Sequence, residues 1–154
     1  MIETRLQTLG IELPVQSPST ANYVPFVKTG TLIFISGQLP AWNGELKYIG
    51  KVGLDFSLED GREAARLCAL NILSHLKIAC EGDLNRIKRC VRLGGFVNST
   101  DTFKDHPKVI NGASDLMIDV FEEEGRHARM AVGVNSLPLG SAVEVEALFE
   151  MDKS

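Results

Sequence analysis

The sequence predicts one α+β domain in which two helices cover one face of a single sheet, in the order β-β-α-β-α-β-β. Three observations lead to this prediction. The 154 residues are enough for one domain and not comfortably for two. Short β-rich runs surround two long segments in which apolar residues recur every three or four positions. Two amphipathic helices need an apolar surface to cover, and one sheet provides it.

The first 22 residues are predicted to form an extension ahead of the main domain, which we place at 23–154. Residues 2–9 favour a short helix. Proline and serine residues between 14 and 19 indicate an irregular segment after it.

The main domain is predicted to begin with a β-hairpin. Its two β-rich runs, 23–28 and 31–36, are joined by Thr29-Gly30. Pro25 cannot donate a backbone hydrogen bond, so the first strand is expected at an edge or with a bulge. The Asn43-Gly44 turn then predicts a loop or a short strand pair up to residue 53.

The clearest helix is predicted at Ser57 to Glu81. Ser57 and Asp60 have the spacing of a capping box, and Gly82 is a suitable stop. The following strand, 87–98, contains Gly94-Gly95, which indicates a bulge or a close approach of another group to the backbone.

A second helix is predicted at Pro107 to Glu123, with proline in its first turn and a broad apolar stripe. The last two strands are predicted at 128–135 and 142–151. In the final strand, apolar residues alternate with glutamates, whereas other strands carry apolar residues on both faces. We therefore expect the uncovered face to pack on another subunit, the alternative being scattered surface hydrophobics.

Composition excludes several classes of protein. The net charge of −4 disfavours a dedicated nucleic-acid binder. No apolar run approaches the ~20 residues of a membrane helix, and the N-terminus lacks the pattern of a signal peptide, so a cytoplasmic protein is expected. Three cysteines without CxxC spacing and three distant histidines favour neither disulfides nor a metal site.

Three residues stand out for their chemistry. Arg129 lies in a strand of small and apolar residues, where its planar guanidinium suits a carboxylate. The alternative is a salt bridge to Glu144 or Glu146 of the same chain. Glu144 is a candidate for positioning a water if it shares a cleft with Arg129, and is otherwise a solvated strand residue. His127 alternates onto the same face as Arg129, although a lone histidine is more often structural.

Five sequence blocks together resemble the RidA/YjgF family, from about Tyr23 to the C-terminus. They are, in order, YVPFV, ISGQLP, GFVNSTDTF with a following VIN, HAR, and LPLGSAVEVEA. The resemblance implies a chorismate-mutase-like fold and a homotrimer with clefts between subunits. It also implies hydrolysis of reactive enamines and imines, such as 2-iminobutanoate and 2-iminopropanoate, to 2-oxo acids and ammonia. No cofactor is implied.

The resemblance also assigns residues to this cleft. Arg129 corresponds to the carboxylate-binding arginine and Glu144 to the cleft glutamate. The other matching ligand contacts are Tyr23 from a neighbouring subunit, Ser36, Gly37 and Asn111. The chain departs from the family at His127, Ala131 and Gly133, where proline, cysteine and an acid are common.

Two other functions are compatible with the same scaffold. One is non-catalytic binding of small carboxylates or a regulatory role. The other is an endoribonuclease, a label attached to relatives, which the acidic charge and the lack of an aromatic and basic platform disfavour.

Overall fold

The structure is a computed structural model that describes residues 1–18 and 22–153. In these residues, five strands form one sheet, as predicted, and the sheet is mixed. The strands in chain order are β1 (Phe26–Thr29), β2 (Leu32–Gln38), β3 (Ala41–Trp42), β4 (Glu45–Leu46), β5 (Ile87–Asn98), β6 (Ala128–Val134) and β7 (Val143–Met151). The order across the sheet is β1-β2-β7-β5-β6, while β3 and β4 pair separately, so the segment after the hairpin is a short strand pair. Among the described residues, β5 and β6 pair in parallel, and the other neighbouring strands of this sheet pair antiparallel. The strand order places β6 at one edge.

The three predicted helices are confirmed, with small changes at their ends. They are α1 (Ile2–Thr8), α2 (Leu58–Ala79) and α3 (His106–Phe121). Ser57 caps α2, and the predicted capping box with Asp60 is complete. The second long helix starts one residue before the predicted Pro107 and ends before the predicted Glu123, because Glu122 takes a left-handed conformation with φ 57°.

The core lies between α2, α3 and one face of the sheet. In β7 the buried residues alternate as predicted, and they are Val143, Val145, Ala147, Phe149 and Met151. Gly95 gives α3 room to approach the sheet, since a Cβ there would lie 2.5 Å from Cγ1 of Ile110. Of the two predicted alternatives for the paired glycines, the structure shows a close approach of another group to the backbone.

No helix in the described part of the chain covers the other face of the sheet. Side chains on this face include Val27, Phe34 and Met130, which are exposed. The register places Val27, Phe34, Leu148 and Arg92 in one row across four strands. Three of its four members are apolar, and this apolar row, with Arg92 at its end, fits the expected contact with another subunit, which stays a prediction.

The N-terminal segment packs against α2 and the β3–β4 hairpin. Ser74 donates a hydrogen bond to the Pro14 carbonyl, and the Val15 backbone N–H donates to Asn43 Oδ1 at 2.8 Å. Ser19, the end of the predicted irregular segment, lies outside the described residues. No helix within 1–18 and 22–153 is long and apolar enough to cross a membrane.

Candidate functional site

Arg129 lies on the edge strand β6, on the face of the sheet that the helices cover. Its register partner on β5 is Leu93, which is fully buried beneath them. Since no strand follows β6 at this edge, the guanidinium extends past the sheet towards α3. There Nη1 donates to Asn111 Oδ1 at 2.7 Å and to Ser114 Oγ at 3.1 Å. The arginine is therefore held by neutral partners and is exposed.

The alternative of an internal salt bridge for Arg129 is wrong. Among the described residues, no carboxylate oxygen lies within 4.0 Å of its guanidinium. Glu146, one of the two partners considered, instead pairs with Arg92 at 3.4 Å. The positive charge of Arg129 therefore remains available to a carboxylate from outside the chain.

His127 and Ser114 form a hydrogen-bond chain that ends at Arg129. His127 Nδ1 lies 2.6 Å from the Gly125 carbonyl oxygen, which can only accept, so Nδ1 carries the proton. Nε2 then accepts from the Ser114 hydroxyl at 2.8 Å, and the same hydroxyl oxygen accepts from Arg129. Burial, followed by the nearby Arg129 charge, lowers the pKa of His127, although its bond to Gly125 opposes this. The lowered pKa favours the neutral imidazole, the form in which Nε2 accepts from Ser114.

His127 thus shares the face and the cleft of Arg129, as the alternation of β6 predicts. Asn111 and Ser114 are one helical turn apart on α3, so both reach the same guanidinium nitrogen. Ser114 is missing from the sequence prediction, although its position three residues after Asn111 was the available signal.

Glu144 lies on β7 beside the end of β2, where it packs on Gly37. A Cβ at Gly37 would lie 2.6 Å from Glu144 Oε2, so a larger residue there would displace the carboxylate from this position. Burial and, second, the neighbouring Glu146 raise the pKa of Glu144. A carboxylate with a raised pKa is better suited to accept a proton than an ordinary surface glutamate.

Ser36 and Tyr23 lie on the same side of the molecule as Gly37. The Ser36 hydroxyl donates to the Val24 carbonyl at 2.7 Å, and its backbone N–H donates to the Pro25 carbonyl at 2.9 Å. These two bonds fix the segment that carries Tyr23. Tyr23 and Gly37 line one cleft, so the structure brings these two predicted residues together.

The seven predicted site residues therefore fall into two groups within one chain. Arg129 pairs with helix-facing Leu93, whereas Glu144 pairs with Phe96, whose side chain is on the uncovered face. The first group contains Arg129, Asn111 and His127. The second contains Glu144, Gly37, Ser36 and Tyr23. The condition under which Glu144 would position a water, a cleft shared with Arg129, is therefore not met within a single subunit.

Neither group offers an obvious metal site. Within the described ranges, no three His, Cys, Asp or Glu residues are placed to hold a metal ion together. All three cysteines are free and buried. What the two groups supply is a fixed cation, a carboxylate and several neutral hydrogen-bonding groups.

The whole described architecture matches one protein family. A family model with the description "YjgF/chorismate_mutase-like, putative endoribonuclease" matches residues 3–151. The chain belongs to the YjgF/RidA family. The resemblance seen in the sequence blocks is confirmed, and so is the YjgF/chorismate mutase-like α+β fold.

Relatives of the chain within this family carry different descriptions. Protein TCP17 of Trypanosoma cruzi is 47% identical over 152 residues, covering 98% of this chain and 94% of TCP17. The crystal structure of "a putative endoribonuclease" from Shewanella oneidensis MR-1 is 40% identical, with a TM-score of 0.93 and coverage of 98% of this chain and 99% of that one. RidA from the Antarctic bacterium Psychrobacter is 26% identical, with a TM-score of 0.59 and coverage of 90% and 94%.

Two positions where the family resemblance implies another residue have a histidine contact in this chain. His127 stands where a proline is expected, and its imidazole contacts Ser114. Gly133 stands where an acid is expected, and His106 Nε2 occupies the space that a Cβ at Gly133 would enter. Each departure therefore coincides with a histidine contact around β6.

Proposed function

We propose that the protein hydrolyses 2-imino acids, and the enamines in equilibrium with them, to 2-oxo acids and ammonia. The observation that carries this proposal is the exposed Arg129 guanidinium, which neutral groups hold and which no carboxylate of the described residues neutralises. Membership of a family that includes RidA supports it. An imino acid has a carboxylate that this guanidinium can bind through two parallel hydrogen bonds.

The reaction needs a water, a carboxylate and a fixed substrate. Arg129 holds the substrate carboxylate, and Glu144 accepts a proton as water attacks the iminium carbon. The carbon–oxygen bond forms while the C=N π pair moves to nitrogen. The proton on Glu144 then passes to the amine of the carbinolamine. The carbinol hydroxyl returns a proton to Glu144 as its oxygen forms the C=O bond, the carbon–nitrogen bond breaks with its electron pair on nitrogen, and the released ammonia takes that proton and leaves as ammonium beside the 2-oxo acid. Because an iminium carbon is already electrophilic, positioning and proton transfer are sufficient catalysis.

We further propose that the site forms between the subunits of a homotrimer. The support is geometric, because Arg129 and Glu144 lie on opposite faces of one sheet. A neighbouring subunit can bring its Glu144 and Gly37 to the Arg129 edge. The apolar row with Val27 and Phe34 supplies the surface for such packing.

The direct test couples the protein to a pyridoxal-phosphate threonine dehydratase, which releases iminobutanoate, and follows 2-oxobutanoate formation. Arg129→Ala should remove the acceleration. Arg126→Ala is the matched control, because Arg126 is a nearby exposed arginine that is paired with Glu123 at 3.0 Å. Equal rates for wild type and Arg129→Ala would refute the proposal. Saturable binding of 2-oxobutanoate without acceleration would instead favour non-catalytic binding.

Subunit complementation tests the shared site. Arg129→Ala and Glu144→Gln variants are each expected to be inactive. When they are unfolded together in equal amounts and refolded, about a quarter of the sites should combine Arg129 of one subunit with Glu144 of the other. Recovery of about a quarter of wild-type activity supports the proposal, and none would place the site within one subunit.

A further inference from the structure

A cleft of about 340 Å³ lies between the N-terminal segment, the end of β2, the β3–β4 hairpin and α2. We call it the α2 cleft. Its lining includes Tyr23 and Gly37, two of the predicted substrate contacts, together with side chains that have no role in the proposed reaction. Among these side chains are Gln16, Asn71 and His75. A volume of this size is within the range of small-molecule sites.

Asn71 builds the inner wall of the α2 cleft. It is 3% exposed, and its amide nitrogen donates to the Ala41 carbonyl at 2.7 Å and to the Leu67 carbonyl at 3.0 Å. Its Oδ1 accepts from Gln16 Nε2 at 2.6 Å. The contact to Gln16 ties the N-terminal segment to α2. The N-terminal segment is therefore a fixed wall of the cleft.

His75 is a polar residue in the lining of the α2 cleft. It is 7% exposed, its Nδ1 is buried without a hydrogen-bond partner, and no hydrogen bond joins its Nε2 to another described residue. Nδ1 is fully enclosed, so the accessible part of the ring is the part that lines the cleft. Buried polar groups in native proteins are normally hydrogen-bonded, which makes this imidazole a candidate for contact with a ligand.

The α2 cleft has no charged lining. Of the described residues around it, none is Asp, Glu, Lys or Arg, and the polar ones carry amide, hydroxyl or imidazole groups. A charged ligand group would lose its hydration here without gaining a counter-charge, whereas an uncharged hydrogen-bonding group would find both donors and acceptors. Burial also lowers the pKa of His75, which favours the neutral ring.

We infer that the α2 cleft receives the substrate side chain, and that the preferred 2-imino acids carry an uncharged, hydrogen-bonding side chain such as a carboxamide. This inference rests on the proposed function, because it places the imine carbon next to Gly37. From there the side chain extends towards His75 and Gln16. The methyl group of 2-iminopropanoate would leave most of the cleft empty.

The experiment compares imines that differ only in the end of the side chain. An amino-acid oxidase with catalase generates the imines of glutamine and of glutamate in place, and ammonia release is measured with and without the protein. The glutamine-derived imine should show a kcat/KM at least about tenfold above that of the glutamate-derived imine. Leucine supplies an uncharged apolar comparison of similar size.

Variants assign the preference to the α2 cleft. His75→Leu should reduce the preference for the glutamine-derived imine over the leucine-derived one by about tenfold. His106→Leu is the matched control, because His106 lines a different cleft. If His75→Leu does not fold, Gln16→Leu on the less buried wall replaces it, and the same loss of preference is expected. Circular dichroism checks the fold of each variant.

The outcomes separate this inference from the proposed function. Hydrolysis of iminobutanoate without discrimination between the glutamine and glutamate imines overturns the inference alone. So does an equal effect of His75→Leu on all substrates. If no imine is hydrolysed faster, iminobutanoate included, the proposed function fails and the inference fails with it.

Discussion

Ser114 is the best residue at which to test whether hydrogen bonds from neutral groups position the Arg129 guanidinium for binding. Ser114→Ala removes one of the two hydrogen bonds to Arg129 Nη1 and also leaves His127 Nε2 without its donor. A hydrogen bond to a charged group contributes about 1.5–3 kcal/mol, and the exposure of the guanidinium reduces this to about 1–2 kcal/mol. Since 1.4 kcal/mol is tenfold, we expect KM to rise by about 5–30-fold.

The turnover number should change much less than KM. Arg129 binds a carboxylate that is present in both the substrate and the transition state, and loss of such uniform binding raises KM alone. The assay is the coupled dehydratase reaction over a range of imine concentrations. Ser114→Thr keeps the hydroxyl and should restore KM. An unchanged KM in Ser114→Ala, with a normal thermal melt, would refute the view that Ser114 positions the arginine.

Three further predictions concern other parts of the molecule. Because the pKa of Glu144 is raised above 4.5, kcat/KM in a pH-rate profile should fall as the pH is lowered through that raised value. Glu144→Gln should lower turnover by about 10²–10⁴-fold and abolish this fall at acidic pH. Gly95→Ala places a Cβ 2.5 Å from Ile110 Cγ1, so the free energy of unfolding measured in urea should fall by about 1–3 kcal/mol. An unchanged midpoint of urea unfolding would contradict the close packing of α3 on Gly95. Burial raises the pKa of Cys90 to about 12, so native protein should not react with a thiol reagent near pH 8, whereas denatured protein should; rapid labelling of the native state would contradict this.

The elements of the fold were predictable from local patterns. The β7 strand has strict alternation, and α2 has both an apolar stripe and the Ser57–Asp60 cap, so the sequence alone predicts their type and nearly their bounds. The end of α3 was not predictable to the residue. It depends on the left-handed conformation of Glu122, and glutamate gives no signal for such a turn.

Contacts between distant segments explain what the sequence left out of the candidate site. Ser114 and His127 are 13 residues apart, and only the packing of α3 on the β6 edge joins them. In the same way, Asn71 and Gln16 meet because the N-terminal segment runs along α2. Single-residue arguments treated His127 as more often structural, since they do not show its link through Ser114 to Arg129.

The separation of Arg129 from Glu144 depends on sheet register, which one sequence does not specify. Alternation along β7 predicts that Glu144 points away from the buried valines. Alternation within β6, however, does not predict whether Arg129 lies on the helix-covered face of the sheet or on the uncovered face. The pairings Leu93 with Arg129 and Phe96 with Glu144 decide it, because Leu93 and Phe96 are three positions apart on β5 and so face opposite sides. A small 2-imino acid cannot contact both residues of one subunit through the sheet. The apolar side chains of the uncovered face and the divided site therefore support the same proposal, a site shared between subunits.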